Sequence, residues 1–116
     1  MKNFSTMQVS VSNKSFIGEQ LGLTGCEISF GQLEAGQAVP FLHTHKQNEE
    51  VYIITKGDGT FSVDGEDFEV STGHVVRVAT AGKRGIKAGE SGIEYICIQA
   101  KEGSLTQKTA DDGIIF

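Results

Sequence analysis

Two histidines and a glutamate near the middle of the 116-residue chain have the residue types and the spacing of a metal site. His43 and His45 are separated by one residue, and Glu50 follows five positions after His45. Alternate side chains of a strand share a face, so both imidazoles are expected to point to one side. A second strand that begins at Glu49 or Glu50 would place Glu50 on the same face as Tyr52. Two imidazoles and a carboxylate are ligands that divalent transition metals accept, with coordination positions left open for water or substrate.

The same residues also have a purely structural interpretation. A single histidine in a strand is usually packed or solvated. The His-x-His pair, with a carboxylate five positions later and with Gly36 and Gly57 on either side, favours a metal site instead. Tyr52 could donate a proton beside such a site, but a core aromatic residue with one hydrogen bond is the simpler interpretation.

Short strands between turn residues are predicted to position these groups. The chain has 15 glycines and a single proline, which favours a β fold with tight turns over helices. Strands are predicted over residues 7–11, 26–33, 41–45, 50–55, 60–63, 66–70, 75–79, 86–88 and 93–100. Short strands at intervals of about ten residues predict a β-sandwich or barrel.

The clearest local signal is a β-hairpin with Asp64 and Gly65 at its turn. This dipeptide is typical of a two-residue type I′ turn, and alternating strands flank it. Four apolar residues are expected on the inner face of the hairpin: Phe61, Val63, Phe68 and Val70.

Composition and charge distribution exclude several classes of partner. The net charge is −5 and the basic residues are scattered, so a nucleic-acid partner is not expected. No apolar run reaches the length of a membrane span, and the N-terminus lacks a continuous apolar stretch, so a cytoplasmic location is expected. Cys26 and Cys97 lie in apolar, strand-like runs and are expected to be reduced and buried; a disulfide between them would require an oxidising compartment.

A single domain is expected over residues 1–116. Its parts are an N-terminal strand arm (1–24), a barrel (about 26–100) and a C-terminal tail (101–116). Residues 93–100 are apolar on both faces, so a second sheet or a partner subunit is expected to cover them. The tail ends in three apolar residues, 114–116, which we expect to dock on the barrel or across a dimer.

The central segment resembles the first motif of the cupin superfamily, in which a glycine precedes HxH, a glutamate and a second glycine. The matching residues are Gly36, His43, His45, Glu50 and Gly57, and only the spacing from Gly36 to His43 is longer than usual, by one residue. The resemblance covers residues 26–100 and implies an all-β double-stranded β-helix, or jelly-roll, barrel as a single cupin domain. It also implies a divalent transition metal (Fe, Mn, Ni or Zn) inside the barrel, a small-molecule ligand or substrate, and a homodimer.

The second motif of that family is degenerate in this chain. The matching stretch begins at Gly73 and contains no proline, and the position of the fourth metal ligand, a histidine in the family, falls on Arg84 or Gly85. His74 follows the turn glycine directly and is expected at the surface. Three outcomes stay open: a three-ligand metal site; an inward Arg84 that pairs with Glu50 or binds a substrate carboxylate; or a fold that persists without its site.

Two functions are compatible with these residues. The first is a metal-dependent enzyme that acts on a small polar molecule, with the metal on the triad, Tyr52 as a proton donor and Arg84 as an anion anchor. The alternative is a non-catalytic ligand-binding or sensor barrel with a decayed metal site. Its pocket would be lined by four aromatic residues: Phe41, Tyr52, Phe61 and Phe68.

Overall fold

The computed structural model of the chain describes residues 2–10, 12 and 14–116. These residues form six strands and two short helices: β1 (Lys14–Phe16), α1 (Gly18–Leu21), β2 (Glu27–Leu33), β3 (Asn48–Val63), β4 (Glu66–Ser71), β5 (Val75–Val78), β6 (Arg84–Lys101) and α2 (Thr109–Asp112). The strands pair antiparallel in the order β1-β2-β6-β3-β4, with β5 also paired to β3. The all-β barrel predicted from the sequence is confirmed.

The two long strands, β3 and β6, pair with each other along both of their halves. Residues 48–57 of β3 pair with residues 93–101 of β6, and residues 59–63 pair with residues 84–88. The register shifts within the first of these halves, between Ile54 and Lys56, and again at their junction, between Gly57 and Gly59. Such irregularities bend strands and increase their twist, which lets one long pair curve around the barrel. The two strands predicted at 86–88 and 93–100 are therefore parts of one strand.

Alternating residues of the strands form the core of the barrel. They are apolar and buried, as the period of two requires. The buried cluster consists of Leu33, Tyr52, Ile54, Phe61, Val70, Val78, Ile86, Ala88, Ile93, Tyr95 and Cys97. In β2 the inward positions are Ser29, Gly31 and Leu33, so the larger Ile28 and Phe30 lie on the outer face.

The predicted hairpin is present between β3 and β4. Asp64 and Gly65 both have positive φ, at 52° and 83°, as a type I′ turn requires, and Val63 pairs with Glu66. Of the predicted inner residues, Phe61 and Val70 are buried and Val63 is half-buried, whereas Phe68 is 36% exposed. Phe68 stacks on Phe61, with ring centroids 5.7 Å apart, at the edge of the core.

The N-terminal segment differs from its prediction. Residues 7–10 contain no strand, and Val11 lies outside the described residues. The strand of this region is β1, in which Lys14, Ser15 and Phe16 pair with the edge of β2. The strand predicted over residues 7–11 is therefore absent from the described part of that range, and the segment that pairs with the sheet lies further along the chain.

The C-terminal tail does not pack on its own barrel. Residues 101–116 are exposed throughout, including the apolar residues 114–116. Docking of the tail on a dimer partner stays a prediction. Among the described residues, no helix is long and apolar enough to cross a membrane.

Candidate metal centre

The segment that carries the two histidines follows the start of β6 without forming a regular strand. His43 exchanges two backbone hydrogen bonds with Arg84, of 3.2 and 3.1 Å, and the amide of His45 donates to the carbonyl of Thr80 at 3.0 Å. The strand predicted over 41–45 is therefore reduced to an isolated bridge at His43. The predicted alternation is nevertheless present, since Phe41, His43 and His45 all line the cavity inside the barrel.

Glu50 on β3 lies opposite both imidazoles. Nε2 of His43 is 3.6 Å from one of its carboxylate oxygens, and Nε2 of His45 is 3.3 Å from the other. The two rings meet edge to face, with centroids 5.1 Å apart. One ligand atom from each of the three residues lies within 4.8 Å of the others. The three side chains predicted to converge do so, and they form a triad that could hold a metal ion.

The Glu50 carboxylate is the electrostatic centre of the site. Oε1 accepts hydrogen bonds from the Tyr52 hydroxyl and from Nη1 of Arg84, both 2.8 Å long, and Oε2 accepts one from the Cys97 thiol at 3.2 Å. Burial raises the pKa of Glu50, but the hydrogen bonds from Tyr52 and Cys97 and the charges of His45 and Arg84 outweigh it, so the net pKa is lowered. Glu50 is therefore an anion at neutral pH, which is the form that binds a metal.

Arg84, rather than Gly85, projects into the barrel next to the triad. Its side chain is 1% exposed. Besides the bond to Glu50, Nη2 donates to the carbonyl of Ala79 at 2.6 Å, while the buried Nε has no partner among the described residues. A guanidinium thus lies where the resemblance places the fourth ligand. Its charge opposes a nearby cation and stabilises the ionised Glu50.

The two imidazoles of the triad also fit a divalent metal. Burial lowers the pKa of His43, although the charge of Glu50 raises it in part, so the ring is neutral at pH 7 and can act as a ligand. Nε2 of His45 is buried and has no hydrogen-bond partner among the described residues, although it lies 3.3 Å from Oε2 of Glu50. An unpaired buried nitrogen is costly, and a metal ion would satisfy it. The triad therefore fits a metal ion, with Arg84 as the opposing charge.

Tyr52, another predicted site residue, contacts the triad, whereas His74 lies apart from it. Burial raises the pKa of Tyr52, whose hydroxyl stays protonated and donates to Glu50. Its role as a proton donor to a substrate, like that of Arg84 as an anion anchor, stays a prediction. His74 is exposed at the turn before β5, as predicted, and its Nδ1 accepts a hydrogen bond from the amide of Ser71 at 3.0 Å.

Cys97 was not predicted to be part of the site. Burial raises the pKa of its thiol to about 12, so it is a neutral donor. In the sequence, Cys97 is one residue of the apolar run 93–100. In the structure, β6 pairs it with Tyr52, which brings its thiol to Glu50. That pairing links segments far apart in the chain and has no local signal.

The triad opens into a cavity of about 490 Å³. Apolar side chains form most of its wall, and Lys14, Gln37 and Gln99 add polar groups. Three of the four aromatic residues expected to line a pocket do so, namely Phe41, Tyr52 and Phe61, while Phe68 does not. The volume falls in the range of small-molecule sites.

Comparison with known proteins agrees with this architecture. The cupin domain family model matches residues 29–98. A solved cupin protein from Bacteroides fragilis is 44% identical, with a TM-score of 0.95 over 100% of this chain and 99% of that one. No curated protein is significantly similar in sequence.

More distant structures share the fold alone. An RmlC-like cupin protein from Desulfovibrio desulfuricans is 20% identical, with a TM-score of 0.67 over 86% of this chain and 96% of that one. The cupin domain of Cnp3 from Schizosaccharomyces pombe is 18% identical, with a TM-score of 0.63 over 69% of this chain and 58% of that one. Together with the barrel and the family match, the end-to-end similarity to the Bacteroides protein shows that the chain belongs to the cupin family.

Proposed function

We propose that the chain binds a divalent transition metal ion through His43, His45 and Glu50 and uses it to bind and activate a small polar organic molecule in the cavity. The observation that carries the proposal is the convergence of three ligand atoms within 4.8 Å at the cavity wall. The buried and unpartnered Nε2 of His45 supports it further, since this atom needs a partner.

The chain's own residues would prepare the site in two ways. Tyr52, Arg84 and Cys97 donate to Glu50 and fix the orientation of its carboxylate, and ligands fixed in this way lose less freedom when an ion binds. The apolar wall limits water and strengthens the polar interactions inside. When bound, a divalent ion supplies Lewis-acid polarisation of a substrate oxygen. Nitrogen and oxygen ligands of this kind accept Fe, Mn, Ni or Zn.

A second candidate function is ligand binding without metal or turnover. It is favoured by the ion pair between Arg84 and Glu50, in which Nη1 lies 2.8 Å from Oε1 and both side chains are buried. This pair already compensates the buried carboxylate, so the site needs no metal to balance its charge.

Elemental analysis of protein purified without chelators, then dialysed against each of the four metals, tests the proposal. We expect about one ion per chain in the wild type. The double variant His43→Ala/His45→Ala is expected to contain none. The matched control is His74→Ala, which removes an exposed histidine outside the site and should leave the metal content unchanged. A wild type that retains none of the four metals would support the metal-free candidate instead.

A further inference from the structure

The cavity wall has an uncompensated positive charge. Among the described residues, Glu50 is the only acidic side chain that lines it, and Arg84 neutralises that carboxylate. Lys14 is the remaining charged residue of the wall and makes no ion pair with the part of the chain that the structure describes. The whole chain has a net charge of −5. A positive lining in an acidic protein points to an anionic ligand.

The hydrogen-bonding groups of the wall agree with the charge. The side-chain oxygen of Gln37 accepts from the amide of Glu34, and that of Gln99 accepts from Nδ2 of Asn48, each at 3.0 Å. Both carboxylate oxygens of Glu50 also accept hydrogen bonds. The amide nitrogens of the two glutamines, in contrast, make no hydrogen bond to other described residues. The wall therefore offers free donors to the acceptors of a ligand.

Strand pairing and aromatic contacts place the Lys14 ammonium on this wall. Lys14 pairs with Gly31, which pairs with Tyr95, so the three residues form one row on the inner face of β1, β2 and β6. The ammonium lies 5.3 Å from the ring centroid of Tyr95 and 5.6 Å from that of Phe16. Cation–π contacts at these distances restrain a lysine that would otherwise be mobile. Gly31 is required here, because a side chain would collide with the Tyr95 ring.

We infer that the cavity takes a small organic monoanion, a carboxylate with an apolar body, and that Lys14 binds its charged group. The body would pack on apolar residues of the wall, including Leu33, Val39, Phe61 and Ile86. Lys14 suits this role better than Arg84, because the charge of Arg84 is already paired with Glu50 at 2.8 Å, whereas Lys14 has no carboxylate partner among the described residues. The inference rests on the proposed use of the cavity as a ligand site, but it does not require the metal.

Three probes of one shape and different charge test it: phenylacetate, phenylacetamide and phenethylamine. Each is titrated into isotope-labelled, chelator-treated protein, and dissociation constants are taken from the NMR shifts of residues that line the cavity. We expect phenylacetate to bind about three- to five-fold more tightly than the amide, as an exposed ion pair allows, and the amine to bind most weakly. Lys14→Met should abolish the preference, and Lys14→Glu should favour the amine.

Lys101→Met is the matched control, since it removes the same charge from an exposed residue outside the cavity and should keep the preference. Equal binding of the three probes, a preference that survives Lys14→Met, or no binding by any probe would overturn the inference. A repeat with zinc present separates it from the proposed function. A preference for phenylacetate that appears only with zinc and survives Lys14→Met assigns the anion to the metal and contradicts the role of Lys14. Failure of metal binding leaves the metal-free result unaffected.

Discussion

At the scale of single residues, the site combines a local motif with long-range contacts. His43, His45 and Glu50 lie within eight consecutive positions, so strand alternation in two successive strands that face one interior predicts that they converge. Arg84 and Cys97 donate to Glu50 from 34 and 47 positions further along the chain. Only the pairing of β3 and β6 and the bridge at His43 bring them together, and neither has a signature in the local sequence. The triad was therefore predictable from sequence, and the hydrogen bonds that orient it were not.

The positive charge of Arg84 should weaken metal binding. We expect Arg84→His to raise the affinity for zinc by on the order of ten-fold or more, because it removes a like charge from beside the ion and adds an imidazole. Isothermal titration calorimetry of chelator-treated protein measures this change. Arg77→Met is the control, since Arg77 forms an exposed ion pair with Glu49 at 3.0 Å outside the site. Equal zinc affinity of the wild type and Arg84→His would show that Arg84 does not oppose the metal.

Acidification should destabilise the metal-free protein. The pKa of His43 is lowered from its ordinary value of 6.5 in the folded protein. At a pH near or below 6.5 the unfolded chain therefore binds more protons than the folded one, and the free energy of unfolding decreases as the pH decreases. The pKa of Glu50 is lowered from 4.5, so its stabilising effect is present above 4.5 and is lost as the pH falls through the folded-state value. Urea unfolding between pH 7.5 and 4 measures both effects.

The variant His43→Asn isolates the histidine contribution to this pH dependence. It should flatten the change in stability between pH 7.5 and 5.5, because asparagine does not titrate in this range. A slope that His43→Asn does not alter would mean that the neutral form of His43 is not favoured by folding.

At the scale of secondary structure elements, contiguous features were predictable and long-range ones were not. The β3–β4 hairpin was predicted correctly because its turn and both of its strands are adjacent in sequence. The sequence predicted two strands, at 86–88 and 93–100, where the structure has the single strand β6. The glycines at 85, 89 and 92 are typical of loops, which is why one strand was not predicted. In the structure they permit close packing: side chains at Gly85 and Gly89 would meet Leu42 and Asp58.

Gly57 should be the least replaceable glycine at the bend of the barrel. Its φ is +80°, and a side chain there would collide with the carbonyl oxygen of Gly92. We expect Gly57→Ala to lower the free energy of unfolding by about 3 kcal/mol or more, from backbone strain and the collision together. Urea denaturation monitored by circular dichroism measures the loss.

Gly65→Ala is the matched control for Gly57→Ala. Gly65 has a similar φ, +83°, but open space where a side chain would lie. It should therefore cost only about 1 kcal/mol, the strain of a positive φ. Equal losses in the two variants would contradict the account of the bend.

At the scale of the whole molecule, the outer face of the barrel has an apolar surface without a cover. Six half-buried apolar residues form two rows across β2, β6 and β3: Ile28, Ile98 and Val51 in one, and Phe30, Ile96 and Ile53 in the other. Residues 114–116 add to the apolar surface that the single chain leaves exposed. A continuous apolar face is typical of subunit interfaces, so we expect a homodimer that buries it.

Analytical ultracentrifugation at several concentrations tests this expectation. The wild type should sediment as a dimer, and Ile96→Lys, at the centre of one row, should shift it to monomer because a charge in the interface is costly. Ser62→Lys is the control, since it places the same side chain on the outer face of β3 away from the rows. A monomeric wild type, or a dimer that Ile96→Lys leaves intact, would contradict this interface.

The location of a bound metal tests the central claim most directly. Crystals grown with zinc, measured on both sides of its absorption edge, give an anomalous difference map that locates the ion. We expect one peak per chain inside the barrel, about 2.0–2.2 Å from Nε2 of His43, Nε2 of His45 and an oxygen of Glu50. A cavity without a peak, with Arg84 still bound to Glu50, would contradict it.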